Sequence, residues 1–333
     1  MFVDSPFWLA ILVSGVIATV LMLALWLGLD RGVARRMVLA AVIPAVAVAV
    51  PAAIGLPETA RGGVGAALLM LVLGGVCGAI LDFSHLRHRT CAIVAGVLML
   101  LGGWLVLAAP VSGLLYHPGG LVVLVWIAFI LIGACFLWVT RPNFDEDETP
   151  VTTKGKGKKS TRTPKAAKAK TSTKSGGTGD GDIAKPAPVA TFMALSIGQG
   201  IVAAQFGLHD HVVFQAGLSM ALLVALISEK AAPQYRAALW LAVSCALMAS
   251  GSGVMLAVPA SVFAMCALVL VVFAGSGGAR IADLIPAAIG AGTGAAGAAG
   301  AVLAMIVRLS VLALPVLVAW LIAYIGATMQ GVS

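Results

Sequence analysis

The stretch FWLAILVSGVIATVLMLALWLGL, residues 7–29, runs for 23 residues without a charge. An α-helix rises about 1.5 Å per residue, so a run of this length crosses the ~30 Å hydrocarbon core of a bilayer. The six residues before it carry only Asp4, whereas a cleavable signal peptide begins with basic residues. We therefore predict that this run is a transmembrane helix and not a cleaved signal.

Similar apolar runs recur along the whole chain. Of its 333 residues, 61% are hydrophobic and 10% are charged, whereas soluble domains carry about 25% charged residues. The composition predicts an all-α, polytopic integral membrane protein with about 10–11 transmembrane helices in two bundles, with the lipid bilayer as its main partner. The further runs lie at residues 37–56, 63–82, 90–109, 119–139, 189–208, 212–228, 237–257, 260–275, 284–306 and 309–329.

A polar segment at residues 140–188 separates five predicted helices in residues 1–139 from five or six in residues 189–333. Its stretch 151–174 contains nine basic residues and no acidic residue. Because the segment has few aliphatic and aromatic side chains, burial cannot offset the entropy of ordering it, and we predict a disordered linker. We expect it to tether the two bundles or to bind anionic lipid headgroups. Nucleic acid is not an expected partner, since no aromatic residues are interleaved with the charges.

The distribution of Lys and Arg predicts the orientation of the chain. If the helices simply alternate in direction, 19 of the 21 basic residues lie on one side of the membrane, and only Arg61 and Arg308 lie on the other. Cytoplasmic loops carry an excess of Lys and Arg. We therefore predict an external N-terminus and a cytoplasmic linker, in a bacterial inner (cytoplasmic) membrane.

Polar side chains inside the apolar runs mark a candidate site, because an unpaired amide or hydroxyl is costly in lipid. Ser196 and Gln199 are three residues apart, and Gln215 and Ser219 are four apart, so each pair lies on one face of its helix. Two interpretations stay open: hydrogen bonds that join helices, or a polar path for a solute. The candidate polar path comprises Ser196, Gln199, Gln205, Gln215, Ser219 and Arg308.

Two further groups of polar residues lie at predicted helix ends. One is a candidate cytoplasmic cluster, whose members are spaced by three and which either faces water or forms a proton-relay or metal set. The other group is predicted to be external and comes from one tight turn and a second loop. If the turn and the loop meet, their side chains are candidates for a metal site; otherwise they face water. The cytoplasmic cluster is Asp82, His85 and His88, and the external candidates are His117, His209, Asp210 and His211.

The sequence contains no phosphate-loop, G-x-S-x-G or H-E-x-x-H motif, and its five cysteines include no C-x-x-C pair, so we predict no cofactor. The leading hypothesis is transport or channel-type handling of a small solute or ion. One alternative is an assembly or interaction subunit with membrane protein partners. The other is a membrane enzyme that acts on a lipid-linked substrate with Asp82, His85 and His88. The missing motifs favour a protein that is not an enzyme.

Overall fold

A computed structural model describes residues 5–28, 38–57, 63–84, 90, 93–102, 105, 120–141, 188–229, 236–289 and 295–330. Over these residues the chain forms helices and no strand, which confirms the predicted all-α fold class. Two short 3-10 helices, Val38–Ala41 and Pro259–Ser261, precede α2 and α9. The α-helices are α1 (Ser5–Gly28), α2 (Val42–Ile54), α3 (Gly63–Ser84), α4 (Ile93–Gly102), α5 (Gly120–Thr140), α6 (Pro188–Gln205), α7 (His209–Glu229), α8 (Ala237–Ala257), α9 (Val262–Ile289) and α10 (Ala295–Met329).

Five helices in the described part of the chain are long and apolar enough to cross a bilayer. They are α1, α3, α7, α8 and the Leu309–Met329 part of α10. Shorter apolar helices, among them α2 and the Val189–Gln205 part of α6, pack with them, and α4 contributes Ala95, Leu98 and Met99 to the same hydrophobic core. The chain is thus built as a multi-pass membrane protein. Residues 142–187 of the predicted linker lie outside the described residues.

The C-terminal region differs from the expected helix boundaries. The sequence predicts a break between runs 284–306 and 309–329, but α10 continues through Arg308 for 35 residues. Helix α9 continues to Ile289, past its predicted end at residue 275. The stretch AVLAMIVRLSVLAL, residues 301–314, contains no Gly or Pro to end a helix, and one arginine does not interrupt backbone hydrogen bonding. The described residues form ten α-helices, of which five are long and apolar enough to span a bilayer, against the predicted 10–11 transmembrane helices.

Helix α8 lies at the centre of the bundle. In its most apolar window 83% of the residues are buried inside the protein, against 28% for α1. Its closest neighbour is α3, and two α3 glycines spaced by four face its backbone. A Cβ atom added to Gly74 would lie 2.8 Å from the carbonyl oxygen of Leu241, and one added to Gly78 would overlap Ala238 Cα. Small residues at this spacing allow two helix backbones to approach closely in lipid.

Helix α1 lies at the periphery and carries the marks of a lipid-facing helix. Leu12 and Val16, one turn apart, are 62% and 61% exposed. Trp8 and Trp26 near the two ends are also about half exposed, at 47% and 54%. Eighteen residues of helix separate them by about 27 Å, close to the ~30 Å of a hydrocarbon core. Tryptophans concentrate at both membrane interfaces, so their spacing is that of a spanning helix.

Helices from before and after the linker pack against each other. Both α1 and α2 contact α7, and the buried Ser14 hydroxyl of α1 donates a 2.7 Å hydrogen bond to the carbonyl oxygen of Gly217 on α7. Helix α6 in turn contacts α7, α9 and α10. This arrangement brings α6, α7 and α8 together, and a group of buried polar side chains from the three helices face each other there.

Candidate functional site

A tight turn positions the polar faces of α6 and α7 against each other. Gly207 adopts a left-handed conformation with φ of 70°, which glycine reaches without strain. The backbone amide of Leu208 donates to the carbonyl oxygen of Ala203, and α7 begins at the next residue. Because the turn is so short, the two helices run antiparallel and in contact. Ser196 and Gln199 of α6 therefore face the side of α7 that carries Gln215 and, four residues later, Ser219.

Gln215 is the hub of the resulting network and is 1% exposed. Its Nε2 donates to Gln199 Oε1 at 2.8 Å and to Ser250 Oγ at 2.9 Å. Its Oε1 accepts from the Ser196 hydroxyl at 2.7 Å. Ser219 Oγ, one turn further along α7, donates to Ser196 Oγ at 2.9 Å. Four of the residues predicted for the polar path thus share one hydrogen-bonded network.

Helix α8 supplies the third wall of the network. Gln199 Nε2 donates to the carbonyl oxygen of Leu247 at 3.2 Å, and Ser250 Oγ lies 3.2 Å from Nδ1 of His211. Two α8 glycines make room for these side chains. A Cβ on Gly251 would lie 2.9 Å from Gln199 Nε2, and one on Gly253 would lie 3.0 Å from His211 Cε1.

Ser250 and His211 were not predicted as members of this network. The signal for Ser250 is the run ASGSG at residues 249–253, where small and hydroxyl residues interrupt an apolar helix. His211 was assigned by the sequence to an external turn, but it lies in the first turn of α7 and is 6% exposed. With Gln215 and Ser219 it forms a stripe at four-residue spacing along one face of α7.

A cavity of about 170 Å³ adjoins the network. It lies between α5, α6, α8 and α9, and Gln199 forms part of its wall. Leu195, Leu247, Met248 and Leu268 are among the other lining residues, so most of the wall is apolar. The Gln199 amide thus stands between a polar network on one side and an apolar cavity on the other.

Gln205 and Arg308 are the remaining residues of the predicted polar path. Gln205 is the last residue of α6, partly buried, and within the described residues no hydrogen bond joins it to the network. Arg308 lies inside α10, and its side chain is outside the described part of the structure. The structure therefore does not bring Gln205 to the Gln199–Gln215 contact.

Asp82 of the predicted cytoplasmic cluster caps the start of a neighbouring helix. It is 8% exposed, and its two carboxylate oxygens accept hydrogen bonds from the backbone amides of Ala237 at 3.0 Å and Ala238 at 2.9 Å. These are the first amides of α8, which have no partner within their own helix. A carboxylate also interacts favourably with the positive end of a helix dipole. His85 and His88 lie outside the described residues.

The external metal candidates are divided by the structure. His209 and Asp210 are exposed, while the neighbouring His211 is buried against Ser250. His117 lies outside the described residues. Across the ranges that the structure describes, no three His, Cys, Asp or Glu side chains are grouped closely enough to hold a metal ion.

The site is therefore a buried, hydrogen-bonded cluster of amide, hydroxyl and imidazole groups from three helices, with an apolar cavity at its edge. Interior polar groups of this kind are costly in lipid when they lack partners, and here they satisfy one another. Searches with this chain against protein family models, curated proteins and solved structures returned no match.

Proposed function

We propose that this protein moves a small, uncharged, hydrogen-bonding solute across the membrane. The observation that carries the proposal is the buried contact between the Gln199 and Gln215 side chains. Amides offer donors and acceptors together, so they can exchange a bond to each other for a bond to a solute. A neutral solute fits better than an ion, because an ion in lipid needs a full opposite charge or many dipoles to offset its desolvation.

The geometry of α7 supports a path that runs along the helix. His211, Gln215 and Ser219 follow each other at four-residue spacing, about 6 Å apart along the axis. Each is hydrogen-bonded to α6 or α8, so the stripe runs from the beginning of α7 to its middle within the protein. A solute that replaced one of these bonds at a time would never be without a partner.

Reconstituted vesicles test this proposal. Stopped-flow light scattering with urea and glycerol as probes measures solute entry, and a pH-sensitive dye inside the vesicles measures proton flux. We expect Gln215→Leu to lower solute entry at least tenfold, because Gln215 links three of the partners in the network. Gln205→Leu is the matched control, since it makes the same change on α6 outside the network, and it should leave entry unchanged.

Two outcomes would refute the proposal. One is that wild-type vesicles admit both solutes no faster than protein-free vesicles. The other is that Gln215→Leu and the control variant transport equally while both elute as folded protein. Dye flux without solute entry would instead assign the network to protons and would contradict a neutral substrate.

We infer the orientation from the charge distribution: the N-terminus lies outside, and linker 140–188 lies in the cytoplasm of a bacterium. The 19-to-2 division of basic residues supports this inference. A reporter that is active only in the cytoplasm should be active when it is fused after residue 150. A reporter that is active only outside the cytoplasm should be inactive at the same position.

We also propose that stretch 151–174 binds anionic lipid. We expect the isolated linker to bind phosphatidylglycerol vesicles, and we expect salt to weaken this binding. Deletion of stretch 151–174 should abolish it.

A further inference from the structure

The cavity beside Gln199 opens through the outer surface of the bundle. Its rim includes Cys135 of α5, which is exposed, and Val269 and Phe273 of α9, which are 39% and 52% exposed. Its inner wall includes Leu247 and Leu268, which are 1% and 2% exposed. The cavity thus extends from a lipid-facing surface inward to the centre of the bundle.

The opening lies at the depth of the acyl chains. Gly251 lines the cavity and is fifteenth of the 21 residues of α8, which places it about 21 Å along a helix of about 32 Å. Phe273 of the rim is the twelfth of the 28 residues of α9, about 17 Å from the beginning of that helix. Neither position is at a helix end, so the neighbours of the rim are hydrocarbon chains and not headgroups or water.

The polar groups in the wall are already engaged within the protein. Gln199 donates to the carbonyl oxygen of Leu247 and accepts from Gln215. Ser252, the other polar side chain of the lining, donates to the carbonyl oxygen of Met248 at 2.7 Å. An occupant therefore needs no polar group of its own, and an apolar one leaves every one of these bonds intact.

We propose that this cavity binds an acyl chain of a membrane phospholipid. A cavity of about 150 Å³ lined by apolar side chains accommodates a benzene-sized molecule, so about 170 Å³ accommodates roughly a six-carbon segment of a chain. The chain enters between α5 and α9 and ends against the Gln199 amide. This proposal is independent of the proposed transport function, because it depends only on the shape, depth and apolarity of the cavity.

Photolabelling in vesicles tests it directly. The probe is a phosphatidylcholine with a diazirine within the last six carbons of one acyl chain, and peptide mass spectrometry locates the adducts. On the wild-type protein we expect adducts on buried inner-wall residues such as Leu247 and Met248. A chain that only wets the surface would label exposed residues such as Phe263, which is 75% exposed, and would leave the inner wall unlabelled.

A matched pair of variants closes the test. Cys135→Trp places a large ring at the rim, and we expect it to lower inner-wall labelling at least fivefold. Cys266→Trp makes the same change at another exposed cysteine, which lies on α9 and does not line the cavity. The labelling of this variant should equal that of the wild type. Adducts confined to exposed residues in the wild type, or equal inner-wall labelling in both variants, would overturn the proposal.

Discussion

Replacing Gly78 with alanine tests whether α3 and α8 are in backbone contact. The added Cβ would lie 2.5 Å from the carbonyl oxygen of Ala237 and would overlap Ala238 Cα, while unstrained carbon contacts are about 3.5–4.0 Å. The obstructing atoms belong to the backbone of α8, so no side-chain rotation relieves the overlap. The two helices must separate by about 1 Å. Overpacking of this kind costs ~1–3 kcal/mol, and we expect the upper end of that range.

Gly96→Ala is the matched control for this substitution. Gly96 lies on the exposed side of α4, and a Cβ there would meet nothing within 4 Å. Both substitutions gain about 1 kcal/mol of helix propensity, so the difference between them isolates the packing cost at the α3–α8 contact. The measurement is the free energy of unfolding in mixed micelles titrated with sodium dodecyl sulfate.

We expect Gly78→Ala to be about 3 kcal/mol less stable than Gly96→Ala. A shift of this size moves the midpoint of the titration well beyond its error. Equal stability of the two variants would show that α3 and α8 are not in backbone contact at this position. Equal stability would also contradict the close packing described for the centre of the bundle.

Three further tests of individual contacts use the same titration. Asp82→Asn should lower the free energy of unfolding by about 1–3 kcal/mol, because an amide nitrogen then faces a backbone N–H of α8; a stability equal to wild type would contradict the capping role. Ser250→Ala should lower the free energy of unfolding by about 1 kcal/mol. Ser244→Ala on the same helix should be neutral or stabilising, since the Ser244 hydroxyl is buried without a hydrogen-bond partner in the described structure. The reverse order would refute the hydrogen bond assigned to Ser250. Trp240→Phe removes the 3.1 Å hydrogen bond from the indole nitrogen to Thr140 and should lower the free energy of unfolding by about 1 kcal/mol. Adding Thr140→Val to this variant should cause no further loss of stability.

The helical class and the membrane setting could be predicted from the sequence. Apolar runs of about 20 residues leave few alternatives, because every backbone amide in lipid must bond within its own helix. The run at residues 7–29 and the observed α1 (Ser5–Gly28) differ by only a residue or two at each end. Where a run was weakly apolar, as at residues 284–306, the boundary was misplaced, since composition alone does not show where a long helix stops.

The candidate site was only partly predictable for a related reason. Ser196, Gln199, Gln215 and Ser219 stood out because polar residues are rare in apolar runs, and spacing placed each pair on one helix face. Ser250 did not stand out, and His211 stood out only as an external metal candidate, because their roles depend on α8 packing beside α6 and α7. Asp82 likewise looked like part of a cluster with nearby histidines, while its oxygens bond the start of a helix that begins 155 residues later.

The pattern of amino acids alone establishes that the chain forms helices in lipid and where the polar residues fall along those helices. Which helices become neighbours depends on how they pack in the folded protein. In lipid, apolar faces do not distinguish one partner from another, so the choice depends on close fit and on a few hydrogen bonds. Those are properties of pairs of residues far apart in the chain, such as Gly78 with Ala238 and Gln199 with Leu247.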